Sequence, residues 1–396
     1  MSKELHLRQR AIKLRLAGNP VQKICQALER SRSWFHKWWQ RWQSHGADGL
    51  RELPRTPRRQ PNQFSKQIRG AIIAIRDRLV RRRGRLARYR LAGAPTIRHE
   101  LEVLGYRPLP SHRQIERVLQ QSGRTSPAFR LAPDAKTTSY PAPVAKRSNQ
   151  VHQMDLIGPR YLKGSRARYH FLTCVDIYDH AVYVEFHRAP TVATVLEFLV
   201  RAWQRLGVPK HLQVDNDILF GNPRRWPGSI NRFIRLALRV GVELIFIPEG
   251  EPYRNGVIEQ FNGWLQERLF ALRLHTVWQV RRELQALMQV CRDEHIHPHL
   301  GHRTTAQVRR RISVRRLPAN FRVHRRPLPI ATGRVTLIRR VRRSGRITVL
   351  GVRVLVGKRR QGQYVRAVLF TRTRKLKLYH YTKLVKEIDY PIRGIE

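Results

Sequence analysis

The chain has 396 residues, a length that allows two to four domains. Its formal charge is +52 at pH 7, from 79 Lys and Arg against 27 Asp and Glu, which excludes an ordinary metabolic enzyme and indicates a polyanionic partner or an anionic lipid surface. Residues 1–150 and 301–396 each carry +24, whereas residues 151–300 hold 15 of the 27 acids and carry +4. We therefore predict two polyanion-binding ends around a region that uses carboxylates.

Several other classes of protein are excluded by the same composition. Cys25, Cys174 and Cys291 are too widely spaced for a disulfide framework or a thiolate zinc site, and free thiols fit a reducing compartment. No apolar run reaches the ~18–20 residues that span a bilayer, and residues 1–10 lack the apolar core of a signal peptide. No Walker-type glycine loop is present. We expect no membrane association and no nucleotide cofactor.

Residues 1–52 show the pattern of a helix-turn-helix domain. Apolar residues recur at helical spacing, Gly18-Asn19-Pro20 ends the first helix, and Ser31 is placed to cap a basic third helix over residues 32–43. A plain three-helix bundle is the alternative, and the four tryptophans of residues 34–42 suit its core. In the DNA-binding interpretation the residues that face the major groove are Arg32, Ser33, His36 and Lys37.

Residues 53–63 form a basic, proline-rich linker, since proline disfavours both helix and sheet interiors. Its Arg55, Arg58 and Arg59 either enter a minor groove or belong to a solvated spacer.

Residues 64–123 repeat the helical theme, and we predict a second, winged helix-turn-helix domain there. Ile68, Ile72, Ile75 and Leu79 recur at helical spacing, and Ser111 is placed to cap a final helix. Residues 124–148 lack periodicity and predict a further linker. The expected DNA contacts on the leading turns of the final helix are His112, Arg113, Gln114 and Arg117.

The pattern changes to α/β over residues 149–306. Two hairpin strands follow a first strand, and helices then alternate with single strands, which predicts a mixed sheet covered by helices. The strands are expected at residues 151–157, 169–177, 181–187, 211–214 and 242–247, and the helices at 191–206, 229–240 and 255–272.

Residues 307–396 alternate Val, Ile, Leu and Tyr with Arg and Lys between glycine turns. This alternation predicts a small basic β-barrel that binds DNA, with a structural cap as the alternative. The strands are expected at residues 335–337, 347–349, 352–355, 364–369 and 376–379.

Three acidic residues of the middle segment stand apart. Asp155 is expected at the end of an apolar strand, Asp215 follows the strand at 211–214, and Glu259 lies in an amphipathic helix. A buried carboxylate is costly without a partner, and a shared pair of divalent metal ions such as Mg²⁺ supplies one.

The segments around these acids resemble the DDE transposases and retroviral-type integrases. The resemblance rests on residues 152–155 (His-Gln-Met-Asp), 214–216 (Val-Asp-Asn) and 248–262, which carry the pattern Pro-Tyr…Asn-Gly-x-x-Glu-x-x-Asn, and on residues 297–306. These blocks span about 150–306, and the flanks resemble bacterial insertion-sequence transposases. The resemblance implies tandem helix-turn-helix domains, a ribonuclease-H-like core and a C-terminal SH3-like barrel.

The resemblance also implies a chemistry and its residues. Asp155 would bridge two Mg²⁺ (or Mn²⁺) ions, and Asp215 and Glu259 would each complete one site. Hydrolysis of double-stranded DNA at terminal inverted repeats would free 3′-OH ends, which then join target DNA. A homo-oligomer on DNA is expected, in the bacterial cytoplasm and associated with the nucleoid. Further DNA contacts are expected near the site, at Arg254, Asn255 and Asn262.

Two departures from the family pattern leave alternatives open. The second Asp and the Glu are commonly separated by about 35 residues in the family, a count that leads from Asp215 to Glu251, whereas Glu259 has 43 residues between. We favour Glu259 for its matching neighbours and its helix, and place an insertion near residues 222–228. Asp217 stands where the family has Gly, and we interpret it as a non-ligand.

Other candidate groups are interpreted as structural. Asp176 and Asp179 flank a strand turn, and the histidines of residues 295–302 lack cysteine partners for zinc. Two alternative functions remain: a catalytically inactive helix-turn-helix regulator derived from a transposase, and a basic structural or ribosome-associated protein.

Overall fold

The computed structural model describes residues 3–52, 64–125, 143–217, 219–220, 227–323 and 328–393. They form two compact units, with the division after Gln63. The predicted contacts Arg55, Arg58 and Arg59 lie outside the described residues, as do most of the second predicted linker and of the predicted insertion. Among the described residues, no helix has the length and apolar character that crossing a membrane requires.

The first unit contains the three predicted helices, α1 (Lys3–Leu16), α2 (Val21–Ala27) and α3 (Arg32–His45). Ser31 caps α3 as predicted, because its Oγ accepts a hydrogen bond of 3.1 Å from the backbone N–H of Trp34. Phe35 and Trp38 are buried, so one face of α3 packs into the core and the other faces outward.

The second unit begins with four helices, α4 (Lys66–Arg81), α5 (Arg85–Tyr89), α6 (Ala94–Val103) and α7 (His112–Gln121). Ser111 and Gln114 form a capping box that starts α7. No residue of the described range 64–125 lies in a strand, so the predicted wing is wrong. Helix α5 packs against the α/β region, where its Tyr89 is buried.

The α/β region contains the predicted mixed sheet covered by helices. Strand β1 is antiparallel to β2, β2 is antiparallel to β3, and β4 lies parallel between β1 and β5. Its elements are β1 (Val151–Arg160), β2 (Tyr169–Asp176), β3 (Val182–His187), α8 (Val192–Arg205), β4 (His211–Val214), α9 (Arg232–Val240), β5 (Glu243–Phe246), α10 (Gly256–Phe270), α11 (Val277–Asp293) and α12 (Thr305–Arg309).

The helices cover both faces of this sheet. Helices α8 and α9 pack Phe198 and Phe233 into one hydrophobic core, and α10 and α11 pack Leu265 and Leu287 into a second core with Phe171 of β2. Helix α11 was not predicted from the sequence, although Thr276 and Gln279 form a capping box at its start.

The C-terminal strands do not close into the predicted barrel. They are β6 (Arg334–Arg340), β7 (Arg346–Val349), β8 (Val352–Leu355), β9 (Tyr364–Phe370), β10 (Lys375–His380) and β11 (Lys383–Asp389). β6 pairs parallel with β5, and β9, β10 and β11 follow, so one sheet of nine strands has the order β11-β10-β9-β6-β5-β4-β1-β2-β3. Leu244 and Phe246 of β5 lie opposite Val335 and Leu337 of β6, and all four are buried in one core. The prediction of a separate SH3-like barrel is therefore wrong.

Candidate active site

The two aspartates come two residues after a pair of register partners on neighbouring parallel strands. Gln153 of β1 is the register partner of Gln213 of β4; Asp155 lies two residues further along β1, and Asp215 directly follows Val214, the last residue of β4. Because side chains alternate between faces, Gln153 and Asp155 project from the same face of the sheet, where both contact α10. Asp155 lies in the middle of β1 and not at its end, since the strand continues to Arg160.

The same two glutamines fasten the start of α10 to the sheet. Gln153 Oε1 accepts a hydrogen bond of 2.9 Å from the backbone N–H of Ile258, and Gln213 Nε2 donates to Asn255 Oδ1 at 2.7 Å. Glu259 is in the first turn of α10, directly after the bonded Ile258. Neither glutamine was predicted from the sequence as a site residue, although Gln-x-Asp occurs both at residues 153–155 and at 213–215.

Asn262 connects α10 directly to the first aspartate. Its Nδ2 donates a hydrogen bond of 2.6 Å to Asp155 Oδ2, and it lies one helical turn beyond Glu259. The side chain is buried, and among the described residues its Oδ1 has no hydrogen-bond partner. A buried oxygen without a donor is the kind of group that a bound cation or an ordered water satisfies.

The three carboxyl groups resist ionisation. Burial raises the pKa of Asp215 to about 6, and repulsion from Asp155 and Asp217 adds to the effect of burial. Burial also raises the pKa of Asp155, with further repulsion from Glu259 and Asp217, against hydrogen bonds from Leu156 and Asn262. Burial raises the pKa of Glu259 as well. Carboxylates brought together at such cost are stabilised when a divalent cation binds them.

Asp155, Asp215 and Glu259 fit Mg²⁺ by the chemistry of their donors. Mg²⁺ takes oxygen ligands and uses a few carboxylates together with water and substrate phosphates. The orphaned amide oxygen of Asn262 and the mutual repulsion of the carboxylates are both consistent with a cation at this place.

Glu251 has a different environment. It accepts hydrogen bonds from Tyr364 Oη at 2.6 Å and from Arg254 Nε at 2.9 Å. Burial raises its pKa, but the bonds from Tyr364, Arg254 and Tyr253 outweigh burial and lower the pKa below its usual range. Its charge is therefore already compensated, and Arg254 is committed to this cluster, although the sequence predicts a DNA contact for it.

Asp217 takes part in the turn after β4. Its Oδ1 accepts a hydrogen bond of 2.8 Å from the backbone N–H of Leu219, and its own N–H donates to Asp215 Oδ1 at 3.1 Å. This turn holds the Asp215 carboxyl in place. Asp176 and Asp179 are buried and pair with Arg309, which agrees with their interpretation as structural residues.

The predicted DNA contacts fall into two groups. Side chains that are exposed on helix surfaces are those of Arg32, Ser33, His36 and Lys37 on α3 and of Arg113 and Arg117 on α7. The second group is engaged in contacts within the protein. Gln114 takes part in the cap of α7, and the ring of His112 packs against that of His302 with centroids 5.3 Å apart. Asn255 is buried and bonded to Gln213.

One family model matches the chain. Residues 5–51, which include most of α1 and all of α2 and α3, match the Homeodomain-like domain. This match agrees with the predicted helix-turn-helix pattern and with the exposed basic face of α3.

Solved structures of viral integrases are similar to larger parts of the chain. The HTLV-2 integrase catalytic core domain in complex with magnesium is 17% identical to this chain. The match covers 41% of this chain and 96% of the HTLV-2 chain, with a TM-score of 0.31. The catalytic core domain of BIV integrase is 20% identical, with 41% and 93% coverage and a TM-score of 0.31. The simian T-cell lymphotropic virus intasome in complex with PP2A regulatory subunit B56 gamma is 13% identical, with 74% and 95% coverage and a TM-score of 0.35.

Proposed function

We propose that the chain is a DDE transposase, which cuts DNA at the ends of a mobile element and joins the freed ends to target DNA. The observation that carries this proposal is the alignment of the two Gln-x-Asp segments. They present Asp155 and Asp215 side by side and fasten the helix that bears Glu259 above them. The order β3-β2-β1-β4-β5 supports a ribonuclease-H-like core over residues 149–306.

The reaction needs no covalent bond to the protein. A water oxygen attacks the phosphorus at the element end, the P–O3′ bond breaks, and the leaving 3′ oxygen takes up a proton. That 3′-OH then loses its proton and attacks a target phosphodiester, whose own P–O3′ bond breaks and whose leaving 3′ oxygen takes up a proton. Two bound Mg²⁺ ions, held by Asp155, Asp215 and Glu259, would supply stabilisation of the attacking and leaving oxygens.

The protein side chains keep the three carboxylates in place. Asn262 donates a hydrogen bond to Oδ2 of Asp155, so Oδ1 is the oxygen that would face a cation. Oδ1 also accepts a hydrogen bond of 2.8 Å from the backbone N–H of Leu156. The turn around Asp217 fixes Asp215, and the two glutamines fix the first turn of α10. Such second contacts orient a ligand, and their loss typically weakens metal binding or activity by about 10–100-fold.

The basic ends would hold the DNA. The exposed face of α3 and the exposed arginines of α7 suit the terminal inverted repeats, and the arginine-rich region over residues 307–396 suits the phosphate backbone. Because two element ends must be processed together, the proposal includes a homo-oligomer on DNA.

The test uses the purified full chain, Mg²⁺ and labelled DNA that carries the inverted repeats flanking the gene. Asp155→Asn, Asp215→Asn and Glu259→Gln are expected to bind this DNA like the wild type but to lose nicking and joining by at least about 100-fold. Glu251→Gln, the matched control, keeps both activities because its carboxylate is engaged elsewhere.

Two results would contradict the proposal. A wild type that binds element ends but neither nicks nor joins them is the inactive regulator, not a transposase. A Glu251→Gln variant that is dead beside an active Glu259→Gln variant would show that the third carboxylate is wrongly assigned.

A further inference from the structure

Three histidines from two distant parts of the sequence meet on the α10 side of the β2–β3 turn. His180 lies in that turn, and His297 and His299 lie in the loop after α11. One ring nitrogen of each lies within 4.8 Å of those of the other two. The His180 and His297 rings are stacked with centroids 4.7 Å apart, and His299 lies 5.3 Å and 5.8 Å from them.

The hydrogen bonds of this cluster leave lone pairs available. His299 Nε2 lies 2.6 Å from the carbonyl oxygen of Tyr178, so that nitrogen donates and Nδ1 keeps its lone pair. A ligating histidine commonly donates its other ring N–H to a backbone carbonyl in this way. His297 Nε2 is buried, and among the described residues it has no hydrogen-bond partner.

The protonation state also suits a ligand. Burial, together with the neighbouring His180, lowers the pKa of His297 to about 3. Burial likewise lowers the pKa of His180, and His299 adds to this effect, against the carboxylates of Asp179 and Asp176. Both imidazoles are therefore neutral at pH 7, and the neutral ring is the form that binds a metal.

We propose that His180, His297 and His299 form a transition-metal site whose best-suited ion is Zn²⁺. Imidazole nitrogens suit Zn²⁺, whereas Mg²⁺ prefers oxygen, so this site is chemically distinct from the carboxylate site. Three histidines leave a fourth position for water. The adjoining cavity of about 220 Å³, lined by His180, His297 and Gln260, provides room for this water.

Binding requires a local adjustment of the side chains. Ligand nitrogens of a tetrahedral zinc ion lie about 3.4 Å apart, so the cluster has to contract by up to about 1.5 Å. Stacked rings cannot both direct a lone pair at one ion, so His180 or His297 has to turn about its side-chain bonds. The ion would then clamp the β2–β3 turn to the loop that follows α11.

This clamp would act on the contact between the helices of residues 64–125, called the helical domain, and the α/β region. The same loop continues into His302, which contacts Arg98 of α6, and it follows His295, whose Nε2 lies 2.9 Å from the carbonyl oxygen of Tyr89 in α5. A metal at the three histidines would therefore hold the helical domain and the α/β region to the same loop. Metal binding at these histidines is independent of the proposed cutting and joining of DNA.

The test measures Zn²⁺ binding to the full chain in the presence of excess Mg²⁺, with a chromophoric chelator as competitor. We expect one Zn²⁺ per chain that is lost in His180→Ala, in His297→Ala and in His299→Ala. The loss in affinity should exceed the about 10–100-fold that removal of a ligand's supporting partner costs. His275→Ala, an exposed histidine outside the cluster, and Asp155→Asn should each keep this ion.

A second readout separates binding from folding. Co²⁺ at the site should give the visible absorption of a tetrahedral complex, and Zn²⁺ should raise the Tm of the wild type but not of His180→Ala or His299→Ala. The inference is overturned if these two variants bind Zn²⁺ as tightly as the wild type, or if His275→Ala loses the ion equally. If His297→Ala fails to fold, His180→Ala and His299→Ala decide the matter alone.

Discussion

The raised pKa of Asp215 gives a stability prediction that can be tested without any DNA. In the folded protein burial raises this pKa to about 6, whereas an unfolded chain has the ordinary value of about 3.9. Ionisation is therefore harder in the folded state, and the wild type loses stability as the pH rises through this interval. The difference of about 2 units corresponds to about 3 kcal/mol above pH 7, and it vanishes below pH 3.

Asp215→Asn removes the titrating group while keeping the shape of the side chain. Without Mg²⁺, we expect the free energy of unfolding of this variant to gain on the wild type by about 2–3 kcal/mol between pH 4 and pH 7.5. Urea denaturation followed by hydrogen exchange and mass spectrometry of the β1 and β4 peptides measures this gain in the second unit alone. Adding Mg²⁺ should stabilise the wild type more than the variant, because the ion binds the folded state.

Glu267→Gln is the matched control, because it removes an exposed carboxylate from α10 and should change stability by less than about 0.5 kcal/mol at every pH. The reasoning is refuted if the stability difference between Asp215→Asn and wild type stays constant from pH 4 to pH 7.5. It is also refuted if the difference falls as the pH rises.

Three further predictions follow from other contacts. Glu283→Ala should lower the free energy of unfolding by about 2–4 kcal/mol in urea titrations, because the buried Tyr89 hydroxyl loses the acceptor to which it donates at 2.7 Å. Tyr89→Phe should lower the free energy of unfolding by less. Arg309→Met should cost about 3–5 kcal/mol by the same measurement, since it removes the arginine that pairs with two fully buried aspartates, and a smaller loss than that of Glu283→Ala would contradict this account. Lys37→Ala should reduce the salt slope of DNA binding in fluorescence anisotropy by about 1, and an unchanged slope would exclude a phosphate contact.

Local patterns in the sequence were enough for most elements of the fold. Ser31 and Ser111 marked two helix starts, and the strand at 211–214 coincides with β4, because caps and alternation act over a few residues. Helix α11 was not predicted although a capping box marks its start, and its apolar face is interrupted by the buried Glu283. Its pairing with Tyr89 is made across the fold and leaves no local signal.

Pairing between distant segments could not be predicted in the same way. Alternation identified β6 but did not indicate that Val335 would lie beside Leu244, because a strand's pattern gives its buried face and not its neighbour. The candidate site shows the same limit. Asp155, Asp215 and Glu259 were chosen for their local context, while the bond from Gln213 to Asn255 and the meeting of His180 with His297 appear only in three dimensions.

The position of β6 means that the C-terminal segment cannot be exchanged as a separate cassette. Its Arg339 donates to Asn216, the neighbour of Asp215, at 2.7 Å and to the carbonyl oxygen of Ile247 at 2.9 Å. A chimera joined at residue 306 would therefore cut through a continuous sheet and leave the backbone groups of β5 exposed at a new edge. Divergence of the C-terminal strands is thus tied to the loop that follows β4, and the two segments are expected to change together in related chains.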